Sequence, residues 1–345
     1  MKYLFEQLII KQSIKQQSKM TDFKQSIIDA LDTMRRRDVA EKQHFKARAY
    51  ARVIAQLANL PNITSYDDVK DISGIGDKIK EKIEEILITG SLRSAERVKE
   101  SYHLDTVDVL IACYGIGPAK AKSLMDVHGI RTIADLRALV IKTPGILNDN
   151  QRAGLTYYDD LLQRIPRTEM LEHDALLRTH VDVPSEIVGS FRREAETSGD
   201  IDMLLCSDRP ESLTNTVYAL QRIGYIKVIL ALGDKKCMTI VQMDGMPARR
   251  LDILLTPPAE YAYAILYFTG SDKFNVAFRQ HALDKGYTLN EHALTAISLP
   301  QPQPMKTEQD IFKFLGLLYT APKDRVGATA VTVRPPVRKI KIIKP

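Results

Sequence analysis

The hydrophobic positions follow a helical period through the first hundred residues. Apolar side chains recur every three or four positions at Phe23, Ile27, Leu31 and Met34, which is the spacing of one buried helix face. A second periodic stretch covers residues 41–60 and stops before a proline, and a proline normally ends a helix. The pattern predicts a small all-α domain over residues 22–100.

The pattern changes twice further along the chain. Residues 101–165 remain helical in character, with glycine and proline interruptions. After residue 166, short β-prone runs at 187–188, 201–205, 239–241 and 251–255 alternate with turns and one helical stretch at 211–223. The chain is therefore expected to be a multidomain α plus α/β protein. Its predicted divisions are an N-terminal extension (1–21), two helical parts (22–100 and 101–165), an α/β domain (166–257), a further subdomain (258–326) and a basic tail (327–345).

A glycine-rich hairpin occurs twice, as ISGIGDKI at residues 72–79 and CYGIGPAK at residues 113–120. Glycines in such hairpins let the backbone approach a phosphate, and the N-terminus of the following helix attracts the anion. One GxG alone is typical of a plain turn. Two copies with matching flanks favour sequence-independent binding to the DNA backbone. The candidate DNA-binding residues of this repeat are Gly74, Gly76, Lys78, Gly115, Gly117 and Lys120.

Charge and cysteine usage narrow the class of protein. Lys and Arg outnumber Asp and Glu by 49 to 43, for a net charge of +6, which favours a polyanionic partner without requiring one. The three cysteines lack metal-ligand or disulfide spacing. No apolar run reaches the roughly 18 residues that span a bilayer. We expect an intracellular protein with neither a signal peptide nor a membrane anchor.

The strongest chemical signal is a set of three carboxylates. Asp200 and Asp202 stand two apart on a predicted strand, so they share one face, and Asp252 on another predicted strand can join them. Carboxylates gathered in this way need cations, and two Mg²⁺ ions about 3.5–4 Å apart would clamp an in-line phosphoryl displacement. A lone DxD is more often a solvated or capping pair.

The residues just before this pair are suited to a triphosphate. The Gly189-Ser190 turn offers backbone N–H groups and a hydroxyl, and Arg193 offers a planar cation for the charge that develops on pyrophosphate. A Gly-Ser turn followed by DxD and a later strand aspartate predicts nucleotidyl transfer.

These segments resemble a known family. Residues 189–202 (GSFRREAETSGDID) and 267–290 (YFTGSDKFNVAFRQHALDKGYTLN) resemble the family X DNA polymerases, in particular their β member, and the likeness extends over about residues 22–325. It implies a helix-hairpin-helix domain of the lyase type, then a nucleotidyltransferase palm with fingers and thumb subdomains. The metal ligands would be Asp200, Asp202 and Asp252, holding Mg²⁺ with Mn²⁺ as a substitute, and Asp252 would also act on the primer 3′-hydroxyl. The resemblance implies these nucleotide-binding residues: Arg164, Gly189, Ser190, Arg193, Ser198, Gly199, Tyr267, Phe268, Gly270, Asp272 and Asn275. It adds Arg250 and Arg279 as DNA contacts.

The N-terminal segment DISGIGDKIKEKIEEILITGSLRS resembles the deoxyribose-phosphate lyase domain of the same family. Spacing alone leaves Lys82 open as a solvated lysine near Glu85, although Lys78 at i,i−4 would lower its pKa. The resemblance makes Lys82 the Schiff-base nucleophile. It puts a 5′-phosphate pocket at Lys46, Arg48 and Tyr50, where HFKARAY is closer to the λ members.

Together these observations predict a monomeric, template-directed DNA polymerase that fills short gaps in base excision repair-like repair. Its partners would be gapped or nicked DNA and dNTPs, with a monovalent cation (Na⁺ or K⁺) at the hairpins and a nuclear location if the source is eukaryotic. Two alternatives remain. The first is a template-independent nucleotidyltransferase, against which the short connection at residues 230–236 argues. The second is a non-catalytic DNA-repair scaffold.

Overall fold

The computed structural model describes residues 21–41 and 43–335. The predicted N-terminal extension, apart from residue 21, and residues 336–345 of the predicted basic tail lie outside these described ranges. The chain forms two compact units. The first comprises the described residues up to Ile111 together with Ile116–Ala138, and the second comprises Ala112–Gly115 and the described residues from Leu139 onward. The finer domain boundaries given above stay predictions.

The first unit is built from helices. In chain order these are α1 (Lys24–Ala40), α2 (His44–Leu57), α3 (Asp77–Thr89), α4 (Arg93–Tyr102), α5 (Leu104–Ile111), α6 (Pro118–His128) and the start of α7 (Ile133–Lys142). A short 3₁₀ turn, Tyr66–Asp68, precedes α3. The core gathers the periodic positions of the sequence: Ile27, Leu31, Val53, Leu57, Ile83 and Ile86 are fully buried. The predicted all-α character of this region is confirmed.

The second unit contains the sheets. Its helices are α8 (Asp149–Thr156), α9 (Tyr158–Leu161), α10 (Arg167–His180), α11 (Gly189–Arg192), α12 (Glu211–Arg222), α13 (Tyr261–Thr269), α14 (Asp272–Asp284) and α15 (Glu308–Phe314). Its strands are β1 (Ile165–Pro166), β2 (Ser185–Ile187), β3 (Thr197–Ser198), β4 (Ile201–Cys206), β5 (Ile226–Leu232), β6 (Lys236–Val241), β7 (Arg249–Thr256), β8 (Tyr287–Leu289) and β9 (Leu294–Ala296). Three 3₁₀ turns complete it, at Pro144–Ile146, Pro322–Asp324 and Ala328–Ala330.

One five-stranded mixed sheet organises this unit, with the strand order β2-β4-β7-β6-β5. Only β4 and β7 pair in parallel, and the other pairs are antiparallel. Along β4 and along residues 251–255 of β7, every residue except Asp202 and Asp252 is apolar or a cysteine, as expected for strand segments covered on two faces. Their side chains form the main core with helices α10 and α12. A carboxylate on either strand therefore lies at the margin of a dry core.

A second core lies under helices α13, α14 and α15. Three phenylalanines, Phe274, Phe278 and Phe312, pack with ring centroids 4.8–6.2 Å apart, distances at which aromatic rings attract one another. The hairpin of β8 and β9 completes this cluster. In the part of the chain that the structure describes, no helix has the length and apolar character needed to cross a bilayer.

A substitution at Gly154 would test how closely α8 packs against its neighbour. A Cβ at this position would overlap the carbonyl oxygen of Tyr114 and lie 2.9 Å from its carbonyl carbon. We expect Gly154→Ala to lower the free energy of unfolding by about 1–3 kcal/mol, the usual cost of overpacking, although alanine favours a helix. Urea unfolding measures the change. Gly145→Ala is the control, because nothing lies within 4 Å of its added Cβ. Equal stability of the two variants would contradict this packing.

Candidate active site

Two of the three predicted carboxylates face each other across the parallel strand pair. Asp202 of β4 and Asp252 of β7 are register partners. Asp200 stands in the bend that leads into β4. Asp252 is 5% exposed, and its Oδ1 atom has no hydrogen-bond partner. A buried carboxylate oxygen without a partner is costly, so this atom is suited to a ligand.

Two side-chain cations form ion pairs with Asp200 and Asp252. Arg250 Nη2 lies 2.6 Å from Asp200 Oδ2 and 3.9 Å from Asp252 Oδ1, and Lys236 Nζ lies 2.9 Å from Asp252 Oδ2. The role of Lys236 was missed in the sequence. It depends on the register in which Lys236 of β6 pairs with Leu254 of β7, and no motif records that register.

Asp202 has no such partner. Burial, together with the charges of Asp200 and Asp252, raises the pKa of its carboxyl to about 6, against the opposing charges of Arg250 and Lys236. Within the described ranges no three acidic, His or Cys side chains converge as a ready metal site, and Arg250 and Lys236 are paired with two of the carboxylates. The donor set nevertheless fits hard divalent cations, which take carboxylate oxygens and would replace both side-chain cations.

The turn beside these carboxylates requires glycine. Gly189 has φ +61°, and a Cβ there would lie 2.9 Å from Asp202 Oδ2. Ser190 follows in the single turn of α11, and its Oγ donates to Ser198 Oγ at 2.8 Å. The backbone of this turn therefore approaches Asp202 as closely as sterics allow. The predicted Gly189, Ser190 and Ser198 lie together around it.

Two predicted arginines flank the turn. Arg193 Nη1 donates to the Thr269 carbonyl at 2.5 Å and lies so close to Gly270 that a Cβ there would be 3.1 Å away. Burial lowers the pKa of Arg193, opposed by Asp272 and Asp202. The guanidinium stays charged at neutral pH.

Arg164 lies beside Gly199, with 3.3 Å between its Nη1 and a Cβ built on that glycine. It donates from Nε to Thr197 Oγ1 at 3.0 Å and from Nη2 to the Thr197 carbonyl at 2.8 Å. Thr197 thus fixes an arginine that the sequence had assigned without a partner.

The remaining predicted residues of this unit lie on α13 and α14. The rings of Tyr267 and Phe268 meet edge to face with centroids 5.2 Å apart. Asn275 Nδ2 donates to the Tyr267 carbonyl at 2.7 Å, and Arg279 lines the same small surface pocket as Tyr267 and Asn275. Asp272 is the first residue of α14. This group presents an aromatic pair and two polar side chains on adjoining helix surfaces.

The repeated hairpins have matching backbones. Gly74 and Gly115 have φ +96° and +82°, a region that favours glycine. Gly76 and Gly117 then cap α3 and α6 with nearly identical φ and ψ, −89° and 175° against −89° and 174°. The repeat in the sequence is therefore also a repeat in backbone conformation. In each copy, a helix begins directly after a tight turn.

The predicted lyase residues lie in the first unit. Lys82 Nζ donates to the Lys78 carbonyl at 3.0 Å. Burial lowers the pKa of the Lys82 amine, Arg37 and Lys78 add to that effect, and Glu81 opposes it. Burial raises the pKa of Tyr50, as does the charge of Asp38. Lys46 and Arg48 are exposed on α2.

The sequence missed Asp38, which is 1% exposed and bonded to Arg37 at 2.5 Å, with its Oδ2 unpartnered. The sequence feature that could have revealed it is a single acid that follows three arginines and falls on the buried stripe of α1.

The sheet, the glycine-serine turn against its carboxylates and the adjoining arginines define a palm of the nucleotidyltransferase class. Comparison with known families agrees. Residues 164–258 match the DNA polymerase beta palm, residues 264–326 the DNA polymerase beta thumb, residues 108–162 the fingers domain of DNA polymerase lambda and residues 23–92 a helix-hairpin-helix domain. The chain belongs to the family X DNA polymerases. The family and fold class predicted from the sequence are confirmed, and the palm implies divalent-metal dependence.

Two curated relatives extend this comparison. DNA polymerase lambda of Rattus norvegicus is 30% identical over 334 residues, which are 89% of this chain and 57% of the relative. DNA polymerase lambda of Arabidopsis thaliana is 29% identical over 308 residues, 80% of this chain and again 57% of the relative. The chain thus spans little more than half the length of either relative.

Asp202 gives a test of carboxylate crowding. Its folded pKa of about 6 exceeds the ordinary 3.8, so the folded state binds more protons and stability falls as pH rises through this interval. We expect Asp202→Asn to stabilise the metal-free protein at pH 7.5 by about 1–3 kcal/mol, and to lose that advantage below pH 4. Urea unfolding in EDTA measures it. Asp208→Asn, on an exposed residue just after β4, is the control. A destabilised Asp202→Asn at pH 7.5 would contradict the crowding.

Proposed function

We propose that this protein is a template-directed DNA polymerase that fills short gaps during base excision repair-like DNA repair. The observation that supports this most is the register of Asp202 with Asp252, combined with a glycine-serine turn and Arg193 beside the same carboxylates. In the reaction, the primer 3′-hydroxyl gives its proton to Asp252, and its oxygen forms a bond to the α-phosphorus of a dNTP. The bond from that phosphorus to the bridging oxygen breaks, and pyrophosphate leaves.

Asp200, Asp202 and Asp252 are the residues that would hold the divalent ions, two Mg²⁺ or Mn²⁺ in their place. When bound, such ions stabilise the charge on the attacking and leaving oxygens. Asp252 orients the primer 3′-hydroxyl. Ser190 and the backbone N–H groups of its turn donate to the triphosphate, and Arg193 balances the charge that grows on pyrophosphate.

The two side-chain cations are displaced in this proposal. Arg250 holds Asp200 and Lys236 holds Asp252 in the absence of ions. Both are long side chains that can swing aside, and Arg250 is then free to contact a DNA phosphate. The exchange keeps Asp200 and Asp252 paired with a cation before and after the ions bind.

DNA recognition is proposed for the hairpins and for α14. The glycines of both hairpins and the lysines Lys78 and Lys120 suit the phosphate backbone, with Na⁺ or K⁺ bound at the turns. Asn275 and Arg279 suit the minor groove and the template strand, because minor-groove acceptors are shared by all correct base pairs. Tyr267, Phe268 and Gly270 suit the dNTP sugar, and Asp272 suits the base.

Templated synthesis is favoured over untemplated extension. Strand β5 ends at Leu232 and β6 begins at Lys236, so residues 233–235 make a tight hairpin. The longer insertion that a template-independent relative carries here is missing from this connection.

A second activity, removal of a 5′-deoxyribose phosphate, is favoured by the environment of Lys82. Its amine is partly buried, and burial lowers its pKa, so a larger fraction is unprotonated and nucleophilic. The amine would attack the sugar aldehyde and form a Schiff base with loss of water. Loss of a C2′ proton would then break the C3′–O bond of that sugar and release the downstream DNA with a 5′-phosphate. Lys46, Arg48 and Tyr50 would hold the 5′-phosphate.

The polymerase proposal predicts Mg²⁺-dependent filling of a one-nucleotide gap with a 5′-phosphate. We expect the double variant Asp200→Ala/Asp202→Ala to lose at least about a thousandfold in rate, since it leaves Asp252 as the one remaining carboxylate for two ions. Asp208→Ala should match the wild type. Incorporation by the double variant at a comparable rate, or binding of gapped DNA by the wild type without any incorporation, would refute the proposal.

The lyase proposal predicts borohydride trapping of the protein on a 5′-deoxyribose-phosphate end. Lys82→Ala should lower trapping by at least about tenfold, because the Schiff base cannot form without the amine. Lys80→Ala serves as the control, since Lys80 is exposed and pairs with Glu84 at 3.8 Å. Wild-type trapping by Lys82→Ala would assign the activity to another amine.

A further inference from the structure

A buried ionic network lies behind the triphosphate turn, in residues that the proposed reaction does not use. Glu308 of α15 is 5% exposed and accepts from two arginines. Arg325 Nη1 donates to its Oε1 at 2.5 Å, and Arg192 donates from Nη1 to Oε1 at 3.2 Å and from Nη2 to Oε2 at 2.9 Å. Burial alone would raise the pKa of Glu308, but the hydrogen bonds and charges of these arginines hold it below its usual value. Glu308 is therefore an anion at neutral pH.

Arg325 fixes one end of the network. It is completely buried, with its guanidinium carbon 5.4–5.7 Å from the ring centroids of Phe274, Phe312 and Tyr319. Its Nε donates to the Thr320 carbonyl at 3.0 Å. A guanidinium held by three rings and an ion pair has one orientation. Glu308 is thereby fixed as well.

Arg192 carries the network to the nucleotide site. It is the last residue of α11, the turn that contains Ser190, and is followed directly by Arg193. Arg192 Nη1 donates to the Thr269 hydroxyl at 2.7 Å, while Arg193 Nη1 donates to the Thr269 carbonyl at 2.5 Å. Thr269 is fully buried. Two consecutive arginines thus hold one threonine, and only Arg192 belongs to the network.

We propose that Glu308, Arg192 and Arg325 are positioning residues for triphosphate binding, acting through Thr269 on the guanidinium of Arg193. This inference rests on the proposed polymerase function. Glu308 holds Arg192, and Arg192 in turn holds the hydroxyl of Thr269. The Thr269 carbonyl therefore offers Arg193 an acceptor in a fixed position. The other donors of Arg193 are then held ready for phosphate oxygens before the nucleotide arrives. Pre-organised donors bind more tightly because less order is lost on binding.

The test is nucleotide binding without turnover. A one-nucleotide-gapped duplex with a dideoxy-terminated primer is bound to the full chain with Mg²⁺, and the correct dNTP is titrated by calorimetry. Glu308→Gln keeps the shape of the side chain and removes its charge. Thr269→Val keeps every ion pair and removes the hydroxyl that Arg192 holds. Both should raise the Kd for dNTP by about tenfold or more, as the loss of partners that orient metal ligands does, with the Kd for gapped DNA unchanged.

Thr307→Ala is the matched control. Thr307 caps α15 next to Glu308, with its Oγ1 accepting from Asp310 N at 3.2 Å, so its loss weakens the same helix but leaves the network intact. An unchanged or lower dNTP Kd in Thr269→Val and Glu308→Gln would overturn the inference, as would an equal rise in Thr307→Ala. If Glu308→Gln does not fold, Thr269→Val alone decides. A wild-type complex that binds no dNTP would overturn the proposed function and this inference together.

Discussion

The catalytic part of this structure depends on the repulsion between carboxylates at the margin of an apolar sheet. Asp202 and Asp252 are brought face to face by the parallel pairing of β4 and β7, and the surrounding core keeps water from screening them. Such an arrangement is unstable without positive charge. The fold supplies Arg250 and Lys236 as side-chain cations and leaves Asp202 with a raised pKa. Holding these carboxylates together costs free energy, and a divalent ion that binds between them offsets this cost.

Two adjacent arginines, Arg192 and Arg193, bring further positive charge to the same site. Arg193 donates to the Thr269 carbonyl at the place where we propose that the triphosphate binds, and Arg192 directly before it donates to the buried Glu308. Adjacent arginines therefore have opposite tasks, one toward a ligand and one toward the core. A buried ion pair of this kind adds little net stability against an apolar replacement. We propose that its task is orientation, because Arg192 donates to the same Thr269 that accepts from Arg193.

Local pattern and short motifs carried most of the sequence prediction. The period at Ile27, Leu31 and Met34 encodes a helix because burial repeats with the helical turn. The pairing of Gly189-Ser190 with Asp200 and Asp202 is a local feature, since it depends on residues within one turn and one strand.

What escaped the sequence depends on tertiary register. Lys236 reaches Asp252 only because β6 lies beside β7 in one alignment. Glu308 bonds to Arg192 from 116 residues further along the chain, and Arg325 joins them by donating to Glu308. Asp38 reads as a surface acid in an arginine-rich helix, and only its burial distinguishes it. Neither Lys236 nor Glu308 stands at a spacing from its partner that a motif could record.

The central claim is that divalent ions replace side-chain cations at three carboxylates. A crystal structure of the protein with gapped DNA, a non-hydrolysable dNTP analogue and Mn²⁺ tests it most directly, because anomalous scattering locates Mn²⁺ without ambiguity. The account predicts two Mn²⁺ ions held by Asp200, Asp202 and Asp252, with Arg250 and Lys236 released from their carboxylates. Arginine and lysine still paired with the aspartates, and no Mn²⁺ between the carboxylates and the triphosphate, would contradict it.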